Sequence, residues 1–154
     1  MSEIKIENVN IHEIFDEAFT TLTEKISSVQ LLKQEAGLFF EQPLLFIIKT
    51  KGGFQGQIFV QMEEPLMEEL VRKINKGKEM QDEEKILFVM EYLNIVCGRA
   101  LSEINNQTGN RSRLSIPQYV TDKASTERMD GKRETLFYYS EYGSLKIIVV
   151  YKID

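Results

Sequence analysis

Two polar residues in an apolar stretch, Glu91 and Asn94, are the part of this sequence best suited to chemistry. They are three residues apart, and in a helix that spacing makes their side chains neighbours one turn apart on the same face. A carboxylate beside a carboxamide can bind an ammonium group and orient a water molecule. The pair is therefore the candidate site, and its use depends on how the surrounding elements present it.

The segment around the pair predicts a long helix over about residues 83–106, because its apolar residues recur at helical spacing. The predicted core-facing stripe consists of Ile86, Val89, Met90, Leu93, Val96, Cys97, Ala100, Leu101 and Ile104. Glu91, Asn94 and Gly98 fall on or beyond the border of this stripe, with Leu87 and Ile95 close by. Either the helix is buried nearly all round, with satisfied polar groups at its border, or it presents an exposed contact patch. The pattern alone supports both interpretations.

Gly98 adds weight to the contact patch. A glycine inside a helix costs about 1 kcal/mol relative to alanine. Its position beside the polar pair indicates close approach by another backbone.

The other elements form two similar series. Asn10 and Glu13 predict the start of a first helix, by a variant of the capping box. Three strand-like segments follow: residues 29–40, which are ambiguous, and strands over 44–48 and 54–62. A short helix then starts at Pro65. After the long helix come a strand over 114–120 and a hairpin with strands at 135–140 and 145–153. The last strand is apolar and could form a sheet edge.

This order predicts an α+β fold with a mainly antiparallel sheet covered on one face by helices. Helix, strand and hairpin occur twice, which indicates two pseudo-repeated halves. A chain of 154 residues suits one domain spanning residues 1–154. The net charge of -5 comes from scattered acidic residues, which argues against nucleic-acid binding. The single Cys97 and the absence of a long apolar run favour a cytoplasmic protein that does not enter the membrane.

A wider pattern resembles the CheC/CheX family of chemotaxis phosphatases, which dephosphorylate the response regulator CheY. Glu91, Asn94 and Gly98 form the array Glu-x-x-Asn-x-x-x-Gly in a helix, and Pro117 follows Asn94 after 22 intervening residues. A single pair is closer to CheX than to CheC, which typically carries two. The resemblance covers nearly the whole chain. It departs at Leu87, where the CheC-type motif has Asp or Ser.

The resemblance implies a hydrolase acting on the aspartyl phosphate of a CheY-type regulator in two-component signalling. Asn94 would orient the attacking water, and Glu91 would pair with the regulator's active-site lysine. Leu87, Ile95 and Gly98 would form the docking surface. The chain would need no cofactor or metal of its own, since Mg²⁺ would belong to the phosphorylated partner.

The resemblance also implies a homodimer joined through sheet edges. The alternative function is a non-catalytic module of the same fold that docks a response regulator or a flagellar-switch component. A domain of this fold with an unrelated ligand is a third possibility. The intact Glu91–Asn94 pair favours the phosphatase, because a module that only docks has no chemical need for it.

Overall fold

The computed structural model describes residues 3–35, 40, 43–121 and 129–153, and within these ranges it contains three α-helices and seven β-strands. The helices are α1 (Ile11–Ser27), α2 (Glu64–Ile74) and α3 (Asp82–Thr108), with a 3₁₀ turn at Ile6–Asn8. The strands are β1 (Leu32–Gln34), β2 (Leu44–Lys51), β3 (Gly56–Met62), β4 (Arg113–Leu114), β5 (Gln118–Val120), β6 (Lys132–Tyr139) and β7 (Ser144–Tyr151). This arrangement confirms the predicted α+β class.

All strand pairs among the described residues are antiparallel, in the order β1-β6-β7-β3-β2-β4, with β5 also pairing with β2. The prediction that the last strand forms a sheet edge is wrong, because β7 lies between β6 and β3. Its apolar sequence reflects burial inside the sheet: Ile147 and Val149 have no exposed surface. The described edges are β1 on one side and β4 with β5 on the other.

The sheet order follows from the two pseudo-repeated halves. The single strand β1 of the first half pairs with β6, in the hairpin of the second half, and β5 of the second half pairs with β2, in the hairpin of the first. Strands β3 and β7 meet in the middle. Each half therefore completes the sheet of the other, as a pseudo-twofold relation requires.

The ends of α1 and α3 repeat the same local structure. The hydroxyls of Ser27 and Thr108 each donate to the carbonyl four residues earlier, at 2.6 and 2.7 Å. Each also accepts the backbone N–H two residues later, at 3.3 Å. The next residues, Ser28 and Gly109, adopt left-handed conformations with φ of 61° and 77°, a common way to end a helix. These matched ends support the pseudo-repeat at the level of single residues.

The three helices pack on one face of the sheet and enclose the main core. In this core the Tyr92 hydroxyl lies 2.6 Å from the Thr23 hydroxyl, which joins α3 to α1 where both residues are buried. Removal from water raises the pKa of Cys97 to about 12, so this thiol is neutral at ordinary pH. A smaller apolar cluster on the opposite sheet face contains Leu45, Ile47, Phe59 and Val150.

Candidate functional site

Glu91 and Asn94 lie on the face of α3 that points away from the core, and both side chains are exposed. The buried residues of α3 include Leu93, Val96 and Cys97, which hold the helix against the sheet and α1 and fix the direction of the opposite face. No ion pair or side-chain hydrogen bond joins Glu91 or Asn94 to another described residue. The structure therefore does not support satisfied border polar groups on a helix buried all round.

Large apolar side chains beside the pair are exposed to solvent. Leu87, one turn before Glu91, is 63% exposed, and Ile95 is 45% exposed. An isolated exposed leucine needs no explanation, but adjacent exposed apolar residues around an unpaired polar pair are typical of a contact surface. The predicted docking residues Leu87 and Ile95 therefore share the exposed face of α3 with the pair.

The exposed face of α3 forms one side of the site, and the connection between β4 and β5 forms the other. Thr50 pairs with Leu114, and Ile47 pairs with Gln118, so the three residues 115–117 stand opposite only two residues of β2. One extra residue on an edge strand is a β-bulge, which interrupts the ladder and redirects a side chain. The sequence prediction of one continuous strand over 114–120 is thus wrong in its middle.

The bulge is held by Ser115 and places Ile116 in solvent. The Ser115 N–H donates to the Lys49 carbonyl at 2.7 Å, and the Lys49 N–H donates to the Ser115 hydroxyl at 3.0 Å. Pro117, which has no N–H to donate, is buried at the far end. Between them Ile116 is 82% exposed.

Helix and bulge together form a depression of about 320 Å³. Its lining consists of Leu87, Met90, Glu91, Asn94, Leu114, Ser115, Ile116 and Pro117. A larger depression of about 620 Å³ lies between α2 and the start of α3. Four of its lining charges pair with one another: Lys85 Nζ lies 3.0 Å from Glu68 Oε2, and Arg72 is bound to Glu69. We place the candidate site at the depression between α3 and the bulge, where Glu91 and Asn94 are unpaired among the described residues.

Gly98 lies one turn beyond Asn94 and is partly exposed. A Cβ built on Gly98 would have one neighbour within 4 Å, the Leu114 Cδ1 atom at 3.8 Å. The described chain therefore does not supply the close backbone approach that this glycine suggested.

Other candidate groups have structural partners or are inaccessible. His12 Nδ1 lies 3.8 Å from a Glu134 carboxylate oxygen, and Cys97 is fully buried. No group of three or more His, Cys, Asp or Glu side chains among the described residues could hold a metal ion. Within the same ranges, no helix has the length and apolar character needed to cross a membrane.

Sequence reasoning missed the exposure of Ile116, although it noted Pro117. Isoleucine itself is an ordinary strand residue and gives no sign of exposure. The available signal was Pro117, because proline inside a strand is confined to edges and bulges.

The structure defines an α+β protein with an antiparallel sheet, helices on one face and an exposed Glu–Asn pair on its longest described helix. The sequence profile of the family described as chemotaxis phosphatase CheX matches residues 44–140, more than half of the chain. The chain belongs to the CheX family of chemotaxis phosphatases. None of the curated proteins matches its sequence.

Solved structures with the same fold include chemotaxis proteins from several bacteria. The CheX protein of Vibrio vulnificus is 19% identical, with a TM-score of 0.78 over 94% of this chain and 97% of that one. The CheX–CheY–BeF₃–Mg²⁺ complex of Borrelia burgdorferi is 15% identical, with a TM-score of 0.74 over 94% of this chain and 99% of that one. FliY of Thermotoga maritima is 17% identical, with a TM-score of 0.61 over 97% of this chain and 92% of that one. At these identities the likeness concerns the fold.

Proposed function

We propose that this chain hydrolyses the aspartyl phosphate of a CheY-type response regulator, with Asn94 and Glu91 as its catalytic residues. The observation that carries the proposal is the exposed, unpaired Glu91–Asn94 pair, rimmed by exposed apolar side chains, in a chain of the CheX family. Both groups are available to a partner without breaking any interaction in the described chain.

Asn94 orients the attacking water. Its amide oxygen accepts a hydrogen bond from the water, and its amide nitrogen donates to an oxygen on the partner. The water oxygen then bonds to phosphorus while the bond from phosphorus to the aspartate oxygen breaks, which releases the aspartate carboxylate. The proton of the water passes to the released phosphate. Because an amide is not a strong base, the gain comes from geometry.

Glu91 binds the ammonium group of the regulator's active-site lysine. A carboxylate facing the phosphoryl group directly would be repelled, so the pairing with lysine keeps its charge one turn away from the reaction. This contact fixes the register of α3 on the regulator, and Leu87, Ile95 and Gly98 form the apolar surface around it. Hydrogen bonds between oppositely charged groups are stronger than neutral ones, which suits this role.

Mg²⁺ belongs to the regulator in this proposal, and the chain supplies no cofactor. The related Borrelia burgdorferi complex contains CheY, BeF₃ and Mg²⁺, which supports a CheY-type partner carrying the metal. Metal and lysine offset the charge of the transferred phosphoryl group. The remaining task, to place one water in line, needs only Asn94.

We also propose a cytoplasmic single domain that forms a homodimer through sheet edges. Strand β7 is interior and the β4–β5 connection lines the proposed site, so among the described strands β1 is the edge left for the dimer. Sedimentation equilibrium tests the assembly, and a monomer at micromolar concentrations contradicts it.

The decay of a phosphorylated CheY-type regulator with Mg²⁺ tests the main proposal. Wild-type protein should shorten the phosphate lifetime. Asn94→Ala should lose at least about 100-fold in rate while largely keeping affinity for the regulator, and Glu91→Ala should lose both. Asn106→Ala changes an exposed asparagine elsewhere on α3 and serves as the matched control.

Two results contradict the catalytic proposal. Asn94→Ala or Glu91→Ala as active as wild type would remove that residue from the mechanism. Binding of the regulator by wild type without any acceleration would assign the chain to the alternative class, a docking module for a regulator or a flagellar-switch component.

A further inference from the structure

We propose that Ile116, projected by the bulge between β4 and β5, covers the Glu91–Asn94 site and excludes bulk water when a regulator docks. The inference rests on the proposed phosphatase function and deepens it. It gives the edge of the sheet a part in the reaction beside α3.

The depression is too large to hold only the reacting water. A water occupies about 30 Å³ in the liquid, so an open depression of about 320 Å³ admits bulk water beside the reacting one. Asn94 can select one geometry only if the other waters leave or become fixed when the partner arrives. The docked surface must therefore close the open side.

Ile116 is the best placed side chain to do this. It is 82% exposed, the highest value among the large apolar residues of the described chain, and it lines the same depression as Asn94. Leu87 lines the helix side of the depression and Ile116 lines the sheet side, so each side carries an exposed apolar residue. A partner pressed against both residues would displace water from their surfaces, which is favourable because the exposed surface is apolar.

The bulge explains why the isoleucine points out of the sheet. In a regular ladder, two residues would stand opposite Ile48 and Lys49, whereas here there are three. The Ser115 N–H and hydroxyl form hydrogen bonds with the carbonyl and N–H of Lys49, respectively, which fixes the bulge directly before Ile116. Ser115 is therefore a positioning residue that acts through Ile116.

Single-turnover and steady-state dephosphorylation of the regulator test whether Ile116 excludes bulk water from the site. Ile116→Ser should lower kcat at saturating regulator about tenfold, and Ile116→Val should stay within about twofold of wild type. Ser115→Ala should lower kcat in the same direction, with wild-type rates retained by Ser115→Thr. Ile153→Ser, at an exposed isoleucine beyond the end of β7, is the matched control and should leave kcat unchanged. Thermal melts should show that Ile116→Ser folds normally, because so little of this side chain is buried.

The outcomes separate the cover from the catalytic proposal. If Ile116→Ser raises KM but keeps the wild-type kcat, the residue only docks, and the inference is overturned. If Asn94→Ala is inactive while Ile116→Ser keeps both constants, the inference fails and the proposed function stands. If wild-type protein does not accelerate decay, the proposed function fails and the inference fails with it.

Discussion

Gly98→Ala should stabilise the free protein and weaken its binding to the regulator. Gly98 is inside α3, where glycine costs about 1 kcal/mol relative to alanine. The added methyl group would meet only Leu114 Cδ1 at 3.8 Å, an ordinary contact, so nothing in the described chain opposes the gain. For a chain of 154 residues, about 1 kcal/mol corresponds to a Tm higher by roughly 2–4 °C.

The binding effect has the opposite sign. If the regulator's backbone packs against Gly98, an extra methyl group overpacks the interface, at a cost of about 1–3 kcal/mol. The dissociation constant would then rise roughly 5- to 150-fold. Titration of a regulator loaded with beryllofluoride and Mg²⁺ measures it without turnover.

A control variant separates helix propensity from interface packing. Thr21→Ala, at an exposed position of α1, also raises helix propensity but should leave binding unchanged. Two results would refute the reasoning: a Gly98→Ala protein that melts lower than wild type, or one that binds the regulator as tightly as wild type does.

Three further predictions concern the core and the number of sites. Tyr92→Phe should lower the free energy of unfolding by about 1–3 kcal/mol, because it deprives the buried Thr23 hydroxyl of its partner. The double variant with Thr23→Val should recover most of this loss in urea titrations. If the costs of the two single variants simply add in the double variant, the interaction is contradicted. Between about pH 9 and 12 the unfolded chain loses the Cys97 proton while the folded chain keeps it, so the free energy of unfolding falls with rising pH. Cys97→Ala should reduce this fall by about 1.4 kcal/mol per pH unit, and an identical slope in both proteins would contradict the raised pKa. Calorimetric titration should give one regulator per chain, and two would reveal a second site.

The helices could be predicted from the sequence because their signals are local. Asn10 accepts the Glu13 N–H at 3.0 Å, as the capping box predicts, and Pro65 lies in the first turn of α2. The buried stripe of α3 also follows the predicted period. The helical period did not predict the burial of Tyr92. An aromatic side chain at the border of an apolar stripe can turn its ring into the core, where its hydroxyl finds a partner.

The sheet order and the bulge depend on pairing between distant segments. Ser115 and Lys49 are 66 residues apart, and the extra residue between β4 and β5 appears only when their register on β2 is known. The same reason explains the error over β7: an apolar strand fits the centre of a sheet as well as an edge, and the choice depends on which strands pair beside it. Sequence therefore located the pair on α3 but not the wall that completes the depression.

The pseudo-twofold relation raises the question of why α1 should carry no second site. The polar residues that α1 offers are already engaged in structure: Glu13 is bound in the cap by Asn10, and Asp16 accepts the Tyr138 hydroxyl at 2.6 Å. The Thr20 hydroxyl bonds to the Asp16 carbonyl. A partner could recruit these groups only by breaking interactions that support the fold, whereas Glu91 and Asn94 are unpaired within the described chain. Since binding energy spent on breaking such contacts is lost from catalysis, the two halves can share one architecture while only α3 serves as the reactive face.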